Sequence, residues 1–574
     1  MYGIIILDIP VSPHGAHGMV PRSLLEGTQV KASRLAAAIM AVALALGLGL
    51  PVHAQGPAQV WVDDDYCRLC DNNGHIWQVD AFASITAGLQ AVAPGGTVYV
   101  LPGRYQEEVL IGQPCRLIAD SSGPVILNPR FGDVALTIAS NDVMVQGFTI
   151  TAGRQAAIQV LGPAFQQVPI RGVALHQNRV LGGYFGIAVN INALARPAGE
   201  WEYGLLPATG IEITDNTVSG CTRGIYVYNA RATIAGNTVS AVASEGIGIY
   251  SSQGSSASIR DNTVTVDSPN ARAIYILDNE GTTIEGNTLI GTTEALTPTT
   301  ALALYGYRGL LVSNNTVQGF QWGLNALTGG SARITGNTFD RTMACAISVR
   351  TAITTTEVTI ENNTVRGACW GLRLDDDGGY GLQANVQGNT FGGNIVGILL
   401  AASLKKDQVR IRGNAFCGNL AAALRSESLA PIDAADNWWG ANDGPRPGGS
   451  GELVEGLGRC VVVPWIRLQA NTRTERDGRV VVTATLADSR YAMSGSRLTF
   501  RADRGTFAES GAAGYSTLTD WRGEAQATLN LPYGEQATLT ITTDCGPGIA
   551  LRAAFPRSWL DRQAGVGAYA RELQ

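Results

Sequence analysis

From residue 175 to 439 the apolar and polar positions of this chain keep returning in one short phrase. It reads Ile213-Thr-Asp-Asn-Thr-Val218, Ile234-Ala-Gly-Asn-Thr-Val239, Ile259-Arg-Asp-Asn-Thr-Val264 and Ile284-Glu-Gly-Asn-Thr-Leu289, and it continues to Ile411-Arg-Gly-Asn-Ala-Phe416. The fourth-position asparagines are Asn216, Asn237, Asn262, Asn287, Asn315, Asn337, Asn363, Asn389 and Asn414, with weaker outer copies around Asn178 and Asn437. They recur about every 25 residues, with one insertion between residues 178 and 216. About nine residues after each Asn comes a second phrase, such as Gly224-Ile-Tyr-Val, Gly246-Ile-Gly-Ile, Gly371-Leu-Arg-Leu and Gly397-Ile-Leu-Leu. Its alternation puts Ile225 and Val227 inside and Tyr226 outside, which is strand periodicity.

A fixed period of this length marks a solenoid. The apolar residues that bracket each Asn predict a sharp bend, and Asn tolerates the left-handed conformation such a bend asks for. Stacked one per coil, the amides can bond to the copies above and below, as Asn ladders do in stacked parallel strands. Two or three short strands per coil describe an all-β chain, a right-handed parallel β-helix. A leucine-rich repeat shares the period but needs a Leu-x-x-Leu-x-Leu phrase that the chain does not carry.

Outside the repeats the pattern changes twice. Residues 58–130 predict an N-terminal cap and first coils: Ala81 to Val92 has apolar residues at helical spacing, followed by Gly95-Gly-Thr-Val-Tyr-Val-Leu-Pro-Gly-Arg-Tyr105 as turn, strand, turn. The coils then run through 131–468. Residues 470–556 carry alternating strands between Gly and Asp turns without the repeat, which predicts a separate β-sandwich, and 557–574 form a tail.

Composition narrows the class. The 574 residues include 70 glycines and 45% apolar residues, enough for a long core, and the net charge of −6 argues against a nucleic-acid or anionic-membrane partner. Lys31 and Arg34 precede the apolar stretch 35–50, and Val52-His-Ala54 offers a cleavage site before Gln55, so residues 1–54 are expected to be a secretory signal region. Met19 is a candidate start. Export makes disulfides permissible. Of nine cysteines, Cys67 and Cys70 are expected to close a small loop, with metal binding through His75 and Asp71 as the weaker alternative. Cys345 and Cys369, about one coil apart, could pair or stay as buried thiols.

The helix followed by Gly95-Gly-Thr-Val-Tyr-Val-x-Pro-Gly-x-Tyr105 resembles the opening of right-handed β-helix proteins of the pectate-lyase-like superfamily, of the secreted bacterial type. Asp436-Asn-Trp-Trp-Gly-Ala-Asn-Asp-Gly-Pro445, followed by Val461-Val-Val-Pro-Trp465, is similar to the last coil of such proteins. The resemblance implies a carbohydrate-related fold and not one activity. The Gly495-x-x-Leu-x-Phe500 strand and the Thr519-Asp520…Gly523-x-Ala525 turn resemble bacterial Ig-like domains of the invasin and intimin type, which implies a spacer or contact module.

Inner positions of a β-helix fill with aliphatics, so a ligand site must use outward residues. On the second phrase these are Tyr226, Tyr228, Tyr250, Tyr275, Tyr305 and Tyr307, with Trp322 and Trp370 at the start of two strands. Tyr226, Tyr250, Tyr275, Tyr305, Trp322 and Trp370 are expected to stack on sugar rings as one row. Arg350, Arg373 and the run Asp375, Asp376, Asp377 supply the one candidate catalytic cluster. Adjacent carboxylates there could hold Ca²⁺, or form a solvated turn beside Gly378-Gly379. No His accompanies them, because after signal removal only His75 and His176 remain.

Two function classes follow. The first is an exported, secreted or surface-located monomer that binds polysaccharide or a cell-surface glycan without turnover and without a cofactor. The second is a polysaccharide lyase or epimerase on a uronic-acid polymer, with Ca²⁺ if a lyase. A third reading, a periplasmic accessory protein for copper enzymes, is disfavoured by the scarcity of His and of Met-rich motifs.

Overall fold

The recurring phrase folds into one strand on each side of a sharp bend, and the second phrase into a third strand. In the computed structural model each turn contributes to three parallel sheets, of 17, 13 and 14 strands. The central turn is typical: Ala230–Ala235, Thr238–Ser240 and Ile247–Ser252 lie on the first, second and third sheets. The structure describes residues 56–554 except 162–167, 193–201, 204–205, 241–242, 244, 292–297, 328, 352–353, 406–407, 476–478, 533 and 547, together with 571–572. The expected signal region and most of the expected tail lie outside the described residues. The chain divides by its contacts at Gln55, and every described residue belongs to the unit that begins at Gly56.

Register makes the core continuous. Ile213, Ile234, Ile259, Ile284, Val312, Ile334, Ile360, Val386 and Ile411 pair rung to rung on the first sheet. Val218 to Phe416 do so on the second. Ile225 to Leu424 do so on the third. All of these side chains are essentially buried, each contributing about 1.5–3 kcal/mol of transfer free energy.

The ladder asparagines sit between the first and second sheets, each at most 1% exposed. The backbone N–H and the Nδ2 of each Asn donate to Oδ1 of the next, as in Asn262 to Asn287 and Asn337 to Asn363, all at 2.9 Å. Asn178 and Asn437 extend the file at its ends. The left-handed residue of the bend is not the Asn itself but the one before it: Gln177, Asp215, Gly236, Asp261, Gly286, Asn314, Gly336, Asn362, Gly388, Gly413 and Asp436 all have positive φ. Apart from Gln177, that position alternates among Gly, Asn and Asp, because these residues tolerate αL. The ladder Asn is specified by its side-chain bonds. Asn314→Val is therefore expected to lower stability by about 1–2 kcal/mol and Asn314→Gly to leave it nearly unchanged. Urea denaturation of both variants checks this, and an equal loss in both would contradict it.

The N-terminal opening is closed by a helix shorter than the spacing predicts, Ile85–Ala91, preceded by strand residues Ala81–Phe82. Ser84 caps it by accepting from Ala87 N, and the Glu107 carboxylate accepts from Ile85 N and Thr86 N at 2.7 and 2.9 Å. A carboxylate there also complements the helix dipole. Ile85 and Leu89 cover the first rung, and Gly88 sits so close that a Cβ would lie 2.7 Å from Val62.

At the other end Trp438 and Trp439 part company. Trp439 stacks on Phe416, which stacks on Phe391, closing the solenoid core. Trp438 joins a second core with Leu468, Val482, Phe500, Phe507, Leu539 and Ile541. That core takes residues from two antiparallel sheets, one of four strands including Arg467–Thr474 and Val480–Ala487, the other of five including Arg497–Ala502 and Gln536–Thr543. Trp438 Nε1 donates to the Cys545 carbonyl at 2.7 Å, and Cys545 is bonded to Cys417 of the last second-sheet strand. Cys67 and Cys70 form the other disulfide. Cys345 and Cys369 do not pair. Cys345 faces Trp370 across the rung, one position past Cys369, so the two thiols are out of register.

Candidate functional site

The outward residues of the third sheet fall into three files, not one. The first runs Arg223, Ile247, Arg272, Thr300, Trp322, Cys345, Trp370 and Val396. The middle file runs Tyr226, Tyr250, Tyr275, Ala303, Asn325, Ser348 and Arg373, and the last runs Tyr228, Ser252, Leu277, Tyr305, Leu327, Arg350 and Asp375. The six expected platform residues are thus spread over all three files. Sequence alternation identifies which residues point outward, but outward residues two apart on one strand belong to different files, and alternation alone does not separate them.

Burial separates them further. Tyr226 and Tyr250 are 3% and 7% exposed and stack on each other at 4.2 Å, within a cluster that includes Phe185, Ile191 and Ile247. They form a further, smaller core on the outside of the solenoid, which leaves little of either ring face to solvent. Tyr307 is also buried, inside the main core, because Gly306 turns the chain in after the strand Thr300–Tyr305. Tyr275, Tyr305, Trp322 and Trp370 remain half-buried. Burial and the neighbouring Tyr250 and Tyr305 push the Tyr275 hydroxyl up to about 12, so it stays a hydrogen-bond donor at neutral pH.

Beyond these aromatics the small residues Ala303, Asn325 and Ser348 separate Trp322 and Trp370 on one side from Tyr305 and Arg350 on the other, over rungs about 4.8 Å apart. Arg373 ends this strip. It lies 5.5 Å from the Trp370 ring and donates through Nη2 to Asp375 Oδ2 at 2.7 Å. Arg350 Nη1 lies 3.9 Å from Asp377 Oδ2. The Nε atoms of both arginines and the Ser348 hydroxyl are buried without a partner.

The three aspartates have different environments. Asp375 is buried, its second oxygen accepting from Ser403 Oγ at 2.8 Å. Asp376 is buried too, accepting from Thr351 Oγ1 at 2.6 Å and from Gly381 N at 3.1 Å, with Gln408 Nε2 at 3.4 Å. Only Asp377 keeps its carboxylate exposed, at 53%. Burial holds its carboxyl above the usual range, Asp375 adds to this, and Arg350 and Arg373 oppose it. Thr351, Ser403 and Gln408 escaped the sequence reading. The signal for them was the period, since Thr351 lies 25 residues before Asp376 and Ser403 lies 28 after Asp375.

The cluster does not fit Ca²⁺. That ion takes six or more oxygens, and the Asp375 and Asp376 oxygens are already committed to Arg373, Ser403, Thr351, Gly381 and Gln408. Among the described residues three carboxylates converge within 4.8 Å only at Asp63, Asp64 and Asp65, at the opposite end. A cavity of about 410 Å³ lies on the last turn, between Asp443, Arg446, Val454, Cys460, Val462 and Trp465. It is separate from the Trp370–Arg373 strip.

Two family models match the chain. The one described as "Right handed beta helix region" covers residues 264–416, within the stacked parallel sheets described above. The chain is a right-handed parallel β-helix protein. The second, "Periplasmic copper-binding protein (NosD)", covers residues 138–301. No curated protein matches. Among solved structures the β-helix is similar to a DFA-IIIase from Arthrobacter chlorophenolicus A6, at 12% identity over 70% of this chain and 99% of that one, TM-score 0.32. It is also similar to the Dettilon tailspike protein, at 12% identity over 85% and 88%, TM-score 0.30. A third is the tailspike gp49 of Acinetobacter baumannii bacteriophage Fri1, a capsular polysaccharide depolymerase, at 11% identity over 91% and 86%, TM-score 0.25. Among the described residues no helix is long and apolar enough to cross a membrane.

Proposed function

We propose that this β-helix protein is exported and binds polysaccharide along the outer face of its third sheet, between Tyr275 and Asp377. The observation that carries the reading is the juxtaposition of Trp370 and Arg373 with Arg350 and Asp377 on successive rungs. Half-buried rings present apolar faces to sugar rings, while guanidinium forks and a carboxylate meet hydroxyls and carboxyls. A strip that runs over successive rungs suits a polymer that is gripped along its length.

The C-terminal sheets act in this reading as an Ig-like spacer. Their shared core with Trp438 and the disulfide to Cys417 favour a stiff connection to the solenoid. The match to the periplasmic NosD model keeps an accessory role in the periplasm as an alternative setting.

A second reading is favoured by the raised carboxyl of Asp377 beside two arginines. In it the strip is the site of a lyase or epimerase acting on a uronic-acid polymer. Asp377 would then be the proton-bearing group and Arg350 and Arg373 would hold the substrate carboxylate.

One experiment tests both. On a glycan array the native chain is expected to retain a polysaccharide, and Trp370→Ala and Arg373→Ala to weaken it about tenfold, or about 1.4 kcal/mol each. The same glycans, and polyuronates, are assayed for unsaturated or epimerised products, with Asp377→Ala as control. Binding without product leaves the first reading. Product that vanishes in Asp377→Ala establishes the second. Binding that ignores both substitutions ends the placement on this face.

A further inference from the structure

We propose that the disulfide between Cys67 and Cys70 is a reversible redox site, which accepts two electrons from a reduced polypeptide carrying a pair of thiols. The two cysteines lie three positions apart. Cys70 is exposed and Leu69, between them, is 94% exposed. A ring this short removes far less unfolded-chain entropy than the Cys417–Cys545 ring, which spans 128 positions. Holding the fold together is therefore a weak reason for the bond to exist.

The loop keeps its shape without it. Asn72, 7% exposed, accepts from Cys67 N at 3.1 Å and donates to the Cys67 carbonyl at 3.0 Å. Cys70 N donates to the same carbonyl at 3.3 Å, and Asn73 Nδ2 donates to the Tyr66 hydroxyl at 3.3 Å. Reduction would leave both sulfurs on one pinned turn, ready to close again. Solvent access favours attack by an incoming thiolate, whereas Cys545 is 8% exposed at the edge of the C-terminal core.

The surroundings indicate the partner's chemistry. Leu69, Ile76 (64% exposed) and Val79 (53%) present apolar side chains to solvent within the same loop. They suit an extended or unfolded polypeptide segment more than a small thiol. In the proposed reaction the first partner thiolate attacks Sγ of Cys70 and displaces Cys67 as a thiolate, leaving a mixed disulfide. The second partner thiolate attacks the partner's own sulfur in that bond and displaces Cys70. The partner leaves oxidised, and the two protons of its thiols end on Cys67 and Cys70. A low-molecular-weight disulfide such as oxidised glutathione restores the pair and is itself reduced to two thiols.

The test uses the full oxidised chain and a reduced bis-cysteine peptide with a leucine-rich spacer. Peptide disulfide is followed by mass spectrometry, and the protein cysteines by differential alkylation. One peptide disulfide per chain is expected, with Cys67 and Cys70 becoming alkylated, Cys417–Cys545 intact and the thermal midpoint unchanged. Cys67→Ser/Cys70→Ser should slow peptide oxidation by at least about tenfold without lowering the midpoint. Leu69→Ser/Ile76→Ser should slow oxidation of the peptide but not of dithiothreitol, and equal rates would remove the polypeptide from the proposal. The site itself is overturned if the double cysteine variant oxidises the peptide as fast as the native chain. It is equally overturned if Cys417–Cys545 opens first or if opening Cys67–Cys70 unfolds the protein.

Discussion

Asn315→Ala is expected to destabilise the solenoid by about 3–5 kcal/mol. Asn315 lies mid-file and is essentially buried. Its Nδ2 donates to Asn337 Oδ1 and the Ile284 carbonyl at 2.9 Å and to the Ser313 carbonyl at 3.0 Å, while its Oδ1 accepts from Asn287 N and Nδ2 at 2.9 Å. Alanine removes all five bonds and leaves the Asn287 backbone N–H buried without an acceptor, which alone costs about 1–3 kcal/mol. Asn315→Asp is the sharper probe. It keeps the acceptor but turns a carboxylate toward the Ile284 and Ser313 carbonyls and the Asn337 oxygen. Burial and those oxygens should raise the folded-state pKa of the new carboxyl, so the folded state binds its proton more tightly than the unfolded one. The deficit therefore grows as pH rises above the unfolded value of about 3.9 and is smallest below it. Urea unfolding at pH 4 and pH 7 reads both effects. An alanine variant within about 1 kcal/mol of the native chain would show that the ladder is a consequence of stacking and not a cause of it.

The second large effect is expected at the join between the solenoid and the C-terminal sheets. Removing the bond between Cys417 and Cys545, 128 positions apart, with Cys417→Ser/Cys545→Ser should cost about 4–5 kcal/mol. Cys417 ends the last second-sheet strand and pairs with Gly392 of the turn before it, and Cys545 borders the core that Trp438 enters. The bond therefore ties the terminal rung of one core to the edge of another. Without it the antiparallel sheets should unfold at lower urea than the β-helix, giving two transitions where the native chain shows a coupled one. Circular dichroism followed through the urea titration counts the transitions. A single transition with the native midpoint would mean that Trp438 and its neighbours hold the join unaided.

The repeat made the solenoid readable because each coil obeys the same local rule. An αL residue before Asn and aliphatics on either side are properties of a six-residue phrase, and stacking only multiplies them. The aromatic face was read less well. Tyr226 and Tyr305 both point outward by alternation, yet they lie in different files, and Tyr226 is buried while Tyr305 is half-buried. The acidic run shows the same limit. Asp375, Asp376 and Asp377 look alike in sequence, but Ser403, Thr351 and Gln408 from neighbouring turns commit the first two and leave the third open.

What the amino-acid order determined by itself is the coil: its period, its short strands, its buried aliphatic files and the asparagine at the bend. Those depend on contacts between a residue and its own copy about 25 positions away, so a pattern visible along the chain carries them. What only the tertiary structure decided is which outward side chains are covered, which carboxylate stays exposed and which cysteines meet. Cys417 finds Cys545 and not a neighbour one coil away, because pairing depends on register and on packing between units. Neither leaves a periodic trace in the sequence.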